Sequence, residues 1–324
     1  MIPIRDTLYS RSVPVATYSV MACTVVVFLF QMGMGPGQEQ FVYLYGLVPA
    51  KYTLPEVSQW FSGFNLLISP VSYMFLHGGF WHFLGNMWFL YIFGDNVEEH
   101  LGSLKFLVFY LLCGFCSGVF HFLLNPFSAV PTIGASGSIA GVMGAYFLLY
   151  PGAKILTLIP IIIIPWFIEI PAFIFLGIWF FMQFLNAAGS HAGSGIAWWA
   201  HVGGFLSGMI LLKLSAYLPD MGADKQIKKA APRRKTPKLQ VITPKAMDHS
   251  PDLFGTLEIS SIEAIAGAKK IVNIPWGFYK RVYRVNVPPG VRQNTKLRLA
   301  GMGKVISGTA RGDLFLKIDI KNDF

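Results

Sequence analysis

Ser136 in Gly134-Ala135-Ser136-Gly137 and His201 in Ala200-His201-Val202-Gly203-Gly204 lie in two apolar stretches that contain few other ionisable side chains. A hydroxyl and an imidazole are the nucleophile and general base of acyl-transfer chemistry. Glycines follow each at helical spacing: Gly137, Gly141 and Gly144 after the serine, Gly204 and Gly208 after the histidine. Such faces allow two helices to approach closely and bring Ser136 beside His201. The same faces could serve packing alone, with both polar side chains satisfied in place, and the two motifs do not separate these readings.

A third apolar stretch, His77-Gly-Gly-Phe-Trp-His82-Phe-Leu-Gly-Asn86, adds two donors. His82 and Asn86 are four apart and share a helix face, so both can point at one oxygen. On one continuous helix His77 would lie about 140° around from His82 and outside that pair. Polar side chains at bilayer depth are costly and usually functional. Nucleophile, base and two donors complete the inventory for acyl transfer with a stabilised oxyanion. The start of a helix at Ser136 would add free amide groups and the positive end of its dipole. A metal centre is the rival use of these histidines. The chain has no His-Glu-x-x-His run and no carboxylate at the same depth, so no metal or other cofactor is expected.

The acids lie too far away to complete a triad. Asp95 is thirteen residues beyond His82, about 20 Å along a helix, and Asp220 is similarly remote from His201. Glu169 is expected at the cytoplasmic start of a later span. A Ser–His dyad remains, with the imidazole oriented by packing.

The elements that must hold these residues are membrane spans. The chain has 324 residues, 54% hydrophobic and 13% charged, with mean hydropathy +0.52, against about 25% charged in soluble domains. Stretches near the ~20 residues needed to cross a bilayer fall at about 14–33, 77–94, 102–124, 135–151, 168–187 and 194–217. Six spans put both termini on one side. Arg5, Arg11 and the cluster Lys225, Lys228, Lys229, Arg233, Arg234, Lys235 and Lys238 mark that side as cytoplasmic. The first span reads as retained, without a cleavage site. Residues 155–167, interrupted by Pro160 and Pro165, are expected to form an interfacial or re-entrant connection. The aromatic-rich segment 34–76 is expected in the outer interface. Cys23, Cys113 and Cys116 read as small apolar side chains.

The basic stretch 218–250 reads as a linker; contact with lipid headgroups is its alternative use, and no nucleic-acid partner is expected. From residue 251 the runs alternate apolar and polar residues between Gly and Pro. The fold expected is an all-α polytopic six-helix membrane domain over 1–217, a linker over 218–250, and a small soluble all-β domain over 251–324.

His-x₄-His-x₃-Asn, the Gly-Ala-Ser-Gly at 134–137, the Ala-His-Val-Gly-Gly at 200–204 and Gly-Asp-Asn-Val-Glu-Glu-His-Leu-Gly-Ser at 94–103 resemble the rhomboid intramembrane serine proteases. The resemblance implies Ser136 as nucleophile and His201 as base. It implies His82, Asn86 and the Ser136 amide as the oxyanion hole, and Glu98 as a structural residue between helices. It also implies transmembrane protein substrates, in a bacterial inner membrane. Some members carry a tyrosine four residues after the nucleophile, beneath the histidine. Ala140 stands there, so another aromatic must support His201. The arginine-bearing motif of the family's first loop is not evident. Trp179, Phe180 and Gln183 are candidates for a lateral gate, with lipid-facing packing as their alternative role. Residues 252–324 resemble the C-terminal β-sandwich of DnaJ-type co-chaperones, without their J-domain or zinc region. This implies a cytoplasmic peptide or protein partner for the tail. A catalytically silent scaffold is the competing function, and a channel or transporter finds little support.

Overall fold

The computed structural model describes residues 1–8, 13–161, 164–189, 197–217, 239–246, 250–276, 279–307 and 310–321. The basic cluster from Lys225 to Lys238, Arg11 and Asp220 fall outside them. The chain divides into two compact units, Met1–Pro232 and Arg233–Phe324.

The first unit is a helical bundle. Its long helices are α1 (Val15–Gly33), α6 (Phe80–Leu101), α7 (Ser103–Leu124), α8 (Ser136–Leu149), α9 (Ala172–Gly189) and α10 (Trp198–Ser215). By length and composition α1, α7 and α9 can cross a membrane. Of the other three, α8 is shorter, and α6 and α10 carry Asp95, Glu98 and Glu99, or His201 and Lys213, which lower their apolarity. Outward-facing Val26, Leu29, Leu67, Trp81, Leu123, Phe181 and Ile210 are exposed, as a lipid-facing surface requires.

Buried in the centre, α8 has fourteen residues, Gly137 to Tyr146 all among its buried positions. At 1.5 Å per residue it is about 21 Å long, too short for a hydrocarbon core of about 30 Å. It cannot cross that core on its own. Glycines set how closely its neighbours approach. A Cβ on Gly204 would fall on the Gly137 carbonyl, one on Gly208 on the Gly141 carbonyl, and one on Gly144 on the Phe205 carbonyl. On the other flank a Cβ on Gly141 would meet Cys113 Cβ of α7 at 2.5 Å.

Short helices α2 (Gln38–Tyr45), α3 (Ala50–Thr53), α4 (Pro55–Ser58) and α5 (Gly63–Ser72) fill the segment between α1 and α6. Lys51 staples this segment. Its fully buried ammonium donates to the Leu44 and Gly46 carbonyls at 3.0 Å each and to Ser69 Oγ at 3.3 Å. It also lies 4.4 Å from the Phe61 ring centroid. Burial pushes its pKa down to about 8.

Residues 155–161 and 164–167, expected to lie in an interfacial or re-entrant connection, are strands. They belong to a hairpin, β2 (Lys154–Ile161) and β3 (Ile164–Pro171), and the N-terminal strand β1 (Ile2–Asp6) adds to it in the order β1-β2-β3, all antiparallel. Pro160 and Pro165 face each other across the β2–β3 pair. β-branched isoleucines with period-two spacing favour strand over a second helix here. Glu169 thus sits within β3, not at a helix start, and pairs with Lys154 at 3.5 Å.

Glu98 ties three helices together. Its carboxylate accepts from the backbone N–H groups of Ala16 and Thr17 at 2.9 and 2.7 Å, and from Ser103 Oγ at 2.6 Å. The first turn of α1 contains no acid of its own, so Glu98 satisfies its amides from α6. Gly102, at φ 84°, makes the sharp turn from α6 into α7. Glu98 is 3% exposed, so Glu98→Ala strands two buried amides and the half-buried Ser103 hydroxyl. The variant should lose about 3 kcal/mol, read as a lowered unfolding temperature in detergent, and Glu98→Gln should recover part of that loss.

The second unit is β-rich. One sheet has order β5-β6-β12-β9 (Lys245–Ala246, Leu253–Ser260, Leu314–Lys321, Lys296–Leu299), with β6 and β12 parallel. Another has order β4-β7-β8 (Leu239–Val241, Ala268–Trp276, Tyr279–Val287). A short pair, β10 (Val305–Ser307) and β11 (Ala310–Arg311), lies apart from both. Leu257, Ile259, Val272, Ile274, Val285, Val287, Leu316 and Ile318 alternate inward to form the core. One short helix, α11 (Ser261–Ala266), follows β6, its start fixed by a reciprocal Ser260–Glu263 capping box.

Candidate active site

The bundle brings Ser136 and His201 into hydrogen-bonding contact. Ser136 is the first residue of α8 and His201 lies in the first turn of α10. His201 Nε2 is 2.8 Å from Ser136 Oγ. Two backbone devices hold the pair. Close glycine contacts fix α8 against α10, and Ser117 Oγ of α7 donates to the Ala200 carbonyl at 2.6 Å, next to the histidine.

The segment leading into Ser136 is equally constrained. Gly134 has φ 121°, a conformation that favours glycine, and its N–H donates to the Tyr73 carbonyl at 2.9 Å. A Cβ at Gly134 would lie 2.8 Å from His82 Nε2 and 3.8 Å from Asn86 Nδ2. Both predicted donors therefore converge on the backbone two residues before the nucleophile. There the unpaired N–H groups of the first turn of α8 also gather. Asn86 is buried, and its amide also donates to the His82 carbonyl at 2.9 Å. His82 is exposed.

His77 is placed differently from the continuous-helix expectation. α6 begins at Phe80, so His77 precedes it, and its ring lies 5.2 Å from that of His82. Gln31 of α1 grips the His77 backbone on both sides, accepting from its N–H at 3.1 Å and donating to its carbonyl at 2.6 Å. That clamp fixes the chain just before the donor-bearing helix, and nothing in the sequence periodicity pointed to it.

The surroundings of His201 also exceed packing. The Trp179 ring of α9 lies beside that of His201 at 6.1 Å, tilted by 32°, and Trp198 meets it edge-on at 6.0 Å and 90°. These two tryptophans flank the imidazole. Gln183 is 8% exposed, and its Oε1 is 2.8 Å from His201 Nδ1. Of the three gate candidates, Gln183 thus points into the site, while Trp179 and Phe180 pack on Phe205 of α10. The signal was present in the sequence: a glutamine four residues after a tryptophan shares its helix face, in a span where polar residues are expensive. Among the described residues no cluster of three His, Cys, Asp or Glu side chains suits a metal ion.

Comparison with known proteins agrees with this architecture. A rhomboid domain matches residues 65–217, and a DnaJ C terminal domain matches residues 223–324. Rhomboid protein 1, mitochondrial, of Saccharomyces cerevisiae is 28% identical over 204 residues, covering 60% of this chain and 51% of that protein. Rhomboid protease GluP of Bacillus subtilis is 28% identical over 138 residues, 43% of this chain and 25% of the relative. Chaperone protein DnaJ of Chlamydia muridarum is 35% identical over 74 residues, 22% of this chain and 18% of the relative. The chain thus spans about half the length of the yeast relative and less of the other two. Residues 65–217 are a rhomboid domain of an integral membrane protein, followed by a domain of the DnaJ C-terminal type.

Proposed function

We propose that this protein is an intramembrane serine endopeptidase that cleaves membrane-protein substrates in or near their transmembrane helices with a Ser136–His201 dyad. The observation that carries the reading is the 2.8 Å contact between Ser136 Oγ and His201 Nε2 at the start of a short, buried helix. Nε2 takes the serine proton as Oγ attacks the scissile carbonyl, and returns it to the leaving amine. His82, Asn86 and the Ser136 N–H stabilise the oxyanion that forms. Water then enters past the exposed His82 and releases the acyl group.

A substrate helix has its carbonyls already hydrogen-bonded. It must unwind locally before one reaches Ser136, so Gly, Pro or small residues near the cut favour cleavage. The proposed division is a protease domain over 1–217, a basic linker over 218–250 and a client-binding or docking domain over 251–324. Both termini are cytoplasmic, as the positive-inside rule directs, and a bacterial inner membrane is the setting proposed.

Activity-based labelling tests the reading. A fluorophosphonate or isocoumarin probe should label the wild-type protein at Ser136 and leave Ser136→Ala unlabelled. Folded wild-type protein that neither takes the probe nor cuts a Gly-containing reporter span would leave a silent scaffold as the better account.

A further inference from the structure

We propose that Gln183 is a positioning residue that holds His201 in the one tautomer able to act as base, and so takes the part that an acid plays in a triad. The proposal rests on the protease reading above and deepens it.

Three groups surround the imidazole, and they do different things. Trp179 packs beside it, tilted, at 6.1 Å and Trp198 meets it edge-on at 6.0 Å. These contacts fix the plane of the ring. They leave open which nitrogen carries the proton, because an indole offers an N–H donor and no in-plane acceptor. Gln183 Oε1, 2.8 Å from Nδ1, supplies that acceptor. Only an N–H can donate to a carbonyl oxygen, so the proton resides on Nδ1. The Nε2 lone pair is then directed at Ser136 Oγ, 2.8 Å away. The opposite tautomer would present an N–H to the serine and could not accept its proton.

Burial gives the contact its weight. Gln183 is 8% exposed, so water competes poorly for its amide oxygen. The neighbouring titratable groups are His82 and His121, both imidazoles, and neither can fix the tautomer as a permanent acceptor does. When Nε2 takes the serine proton, the Nδ1–H to Oε1 bond becomes charge-assisted and strengthens. Gln183 therefore favours the transition state over the ground state, and its effect falls on kcat. A neutral amide cannot itself take up the proton, so the charge stays on the ring.

Single-turnover and steady-state cleavage of a reporter span by the full chain in detergent or liposomes provides one arm. Gln183→Leu should lower kcat by about 10- to 100-fold, less than the ~10²–10⁴-fold of a whole general-base contribution because Trp179 and Trp198 still hold the ring, with KM within about twofold. Gln183→Glu keeps an acceptor at the same reach and should restore kcat to within about fivefold of wild type. Gln183→Met replaces Leu should that variant not fold. The second arm is ¹⁵N NMR of histidine-labelled protein, which reads the tautomer without turnover. Wild-type His201 should carry its proton on Nδ1, and Gln183→Leu should mix the two forms. Wild-type kcat in Gln183→Leu, or an Nε2-protonated His201 in the wild type, would overturn the assignment. A wild-type protein that cleaves no substrate would remove the protease reading, while the tautomer measurement would still decide the role of Gln183.

Discussion

Ser136→Ala is expected to lower kcat on a reporter span by at least about 10⁴-fold, and His201→Ala by a similar factor, because the two act as one unit. Their double variant should be no worse than either single one. The residual rate would come from the donors that remain at the oxyanion position. His82→Ala and Asn86→Ala should each cost less, about 10²-fold in kcat, as expected for one donor among several. The geometry supports the ordering. Ser136 and His201 are in direct contact at 2.8 Å, whereas His82 and Asn86 flank Gly134 together, with an amide helping from α8. Asn86 should also show the larger effect of the two, because it is buried and His82 is exposed. Strict additivity of the Ser136 and His201 losses, in gel-resolved cleavage of a fluorescent reporter, would contradict a shared proton transfer.

The residues of the proposed dyad are legible in the sequence because membrane depth makes polar side chains rare. Ser136, His201, His82 and Asn86 stood out against apolar runs, and glycines at spacings of three and four supplied the faces that join them. Other features lacked that contrast. The β1-β2-β3 sheet depends on pairing Ile2–Asp6 with a hairpin about 150 residues away, a long-range contact that local periodicity does not encode. The apolar run Ile155–Phe167 was compatible with helix, strand or re-entrant loop until its partner was known. The apolar run from His77 reads as one helix, whereas α6 begins three residues later, at Phe80, and helix boundaries are poorly marked where glycines precede an apolar run. Gln183 was visible as a polar residue in a span, but its partner was not. One helix wheel shows which face a side chain occupies, and only the packing of α9 against α10 shows that Nδ1 lies there.

That packing leads to the second large effect, at glycines far from any proton. A Cβ on Gly208 would fall on the Gly141 carbonyl, with Gly141 C and Cα also within 2.5 Å. These are backbone atoms of α8 and cannot rotate away, so Gly208→Ala must displace one helix from the other. Gly204, one turn nearer the dyad, faces the Gly137 carbonyl in the same way. A displacement of about 1 Å at the reacting atoms is enough to cost about 10²-fold in rate. Gly204→Ala should therefore lose at least that in kcat. Gly208→Ala should lose stability first, by about 1–3 kcal/mol, the usual cost of overpacking. Gly177 on α9 has nothing within 4 Å of its added Cβ, so Gly177→Ala should be neutral or stabilising by about 1 kcal/mol. Reporter cleavage and unfolding temperature measured together on the three variants separate packing from chemistry. Wild-type activity in Gly204→Ala would mean that α8 and α10 are not held at the separation the Ser136–His201 contact requires.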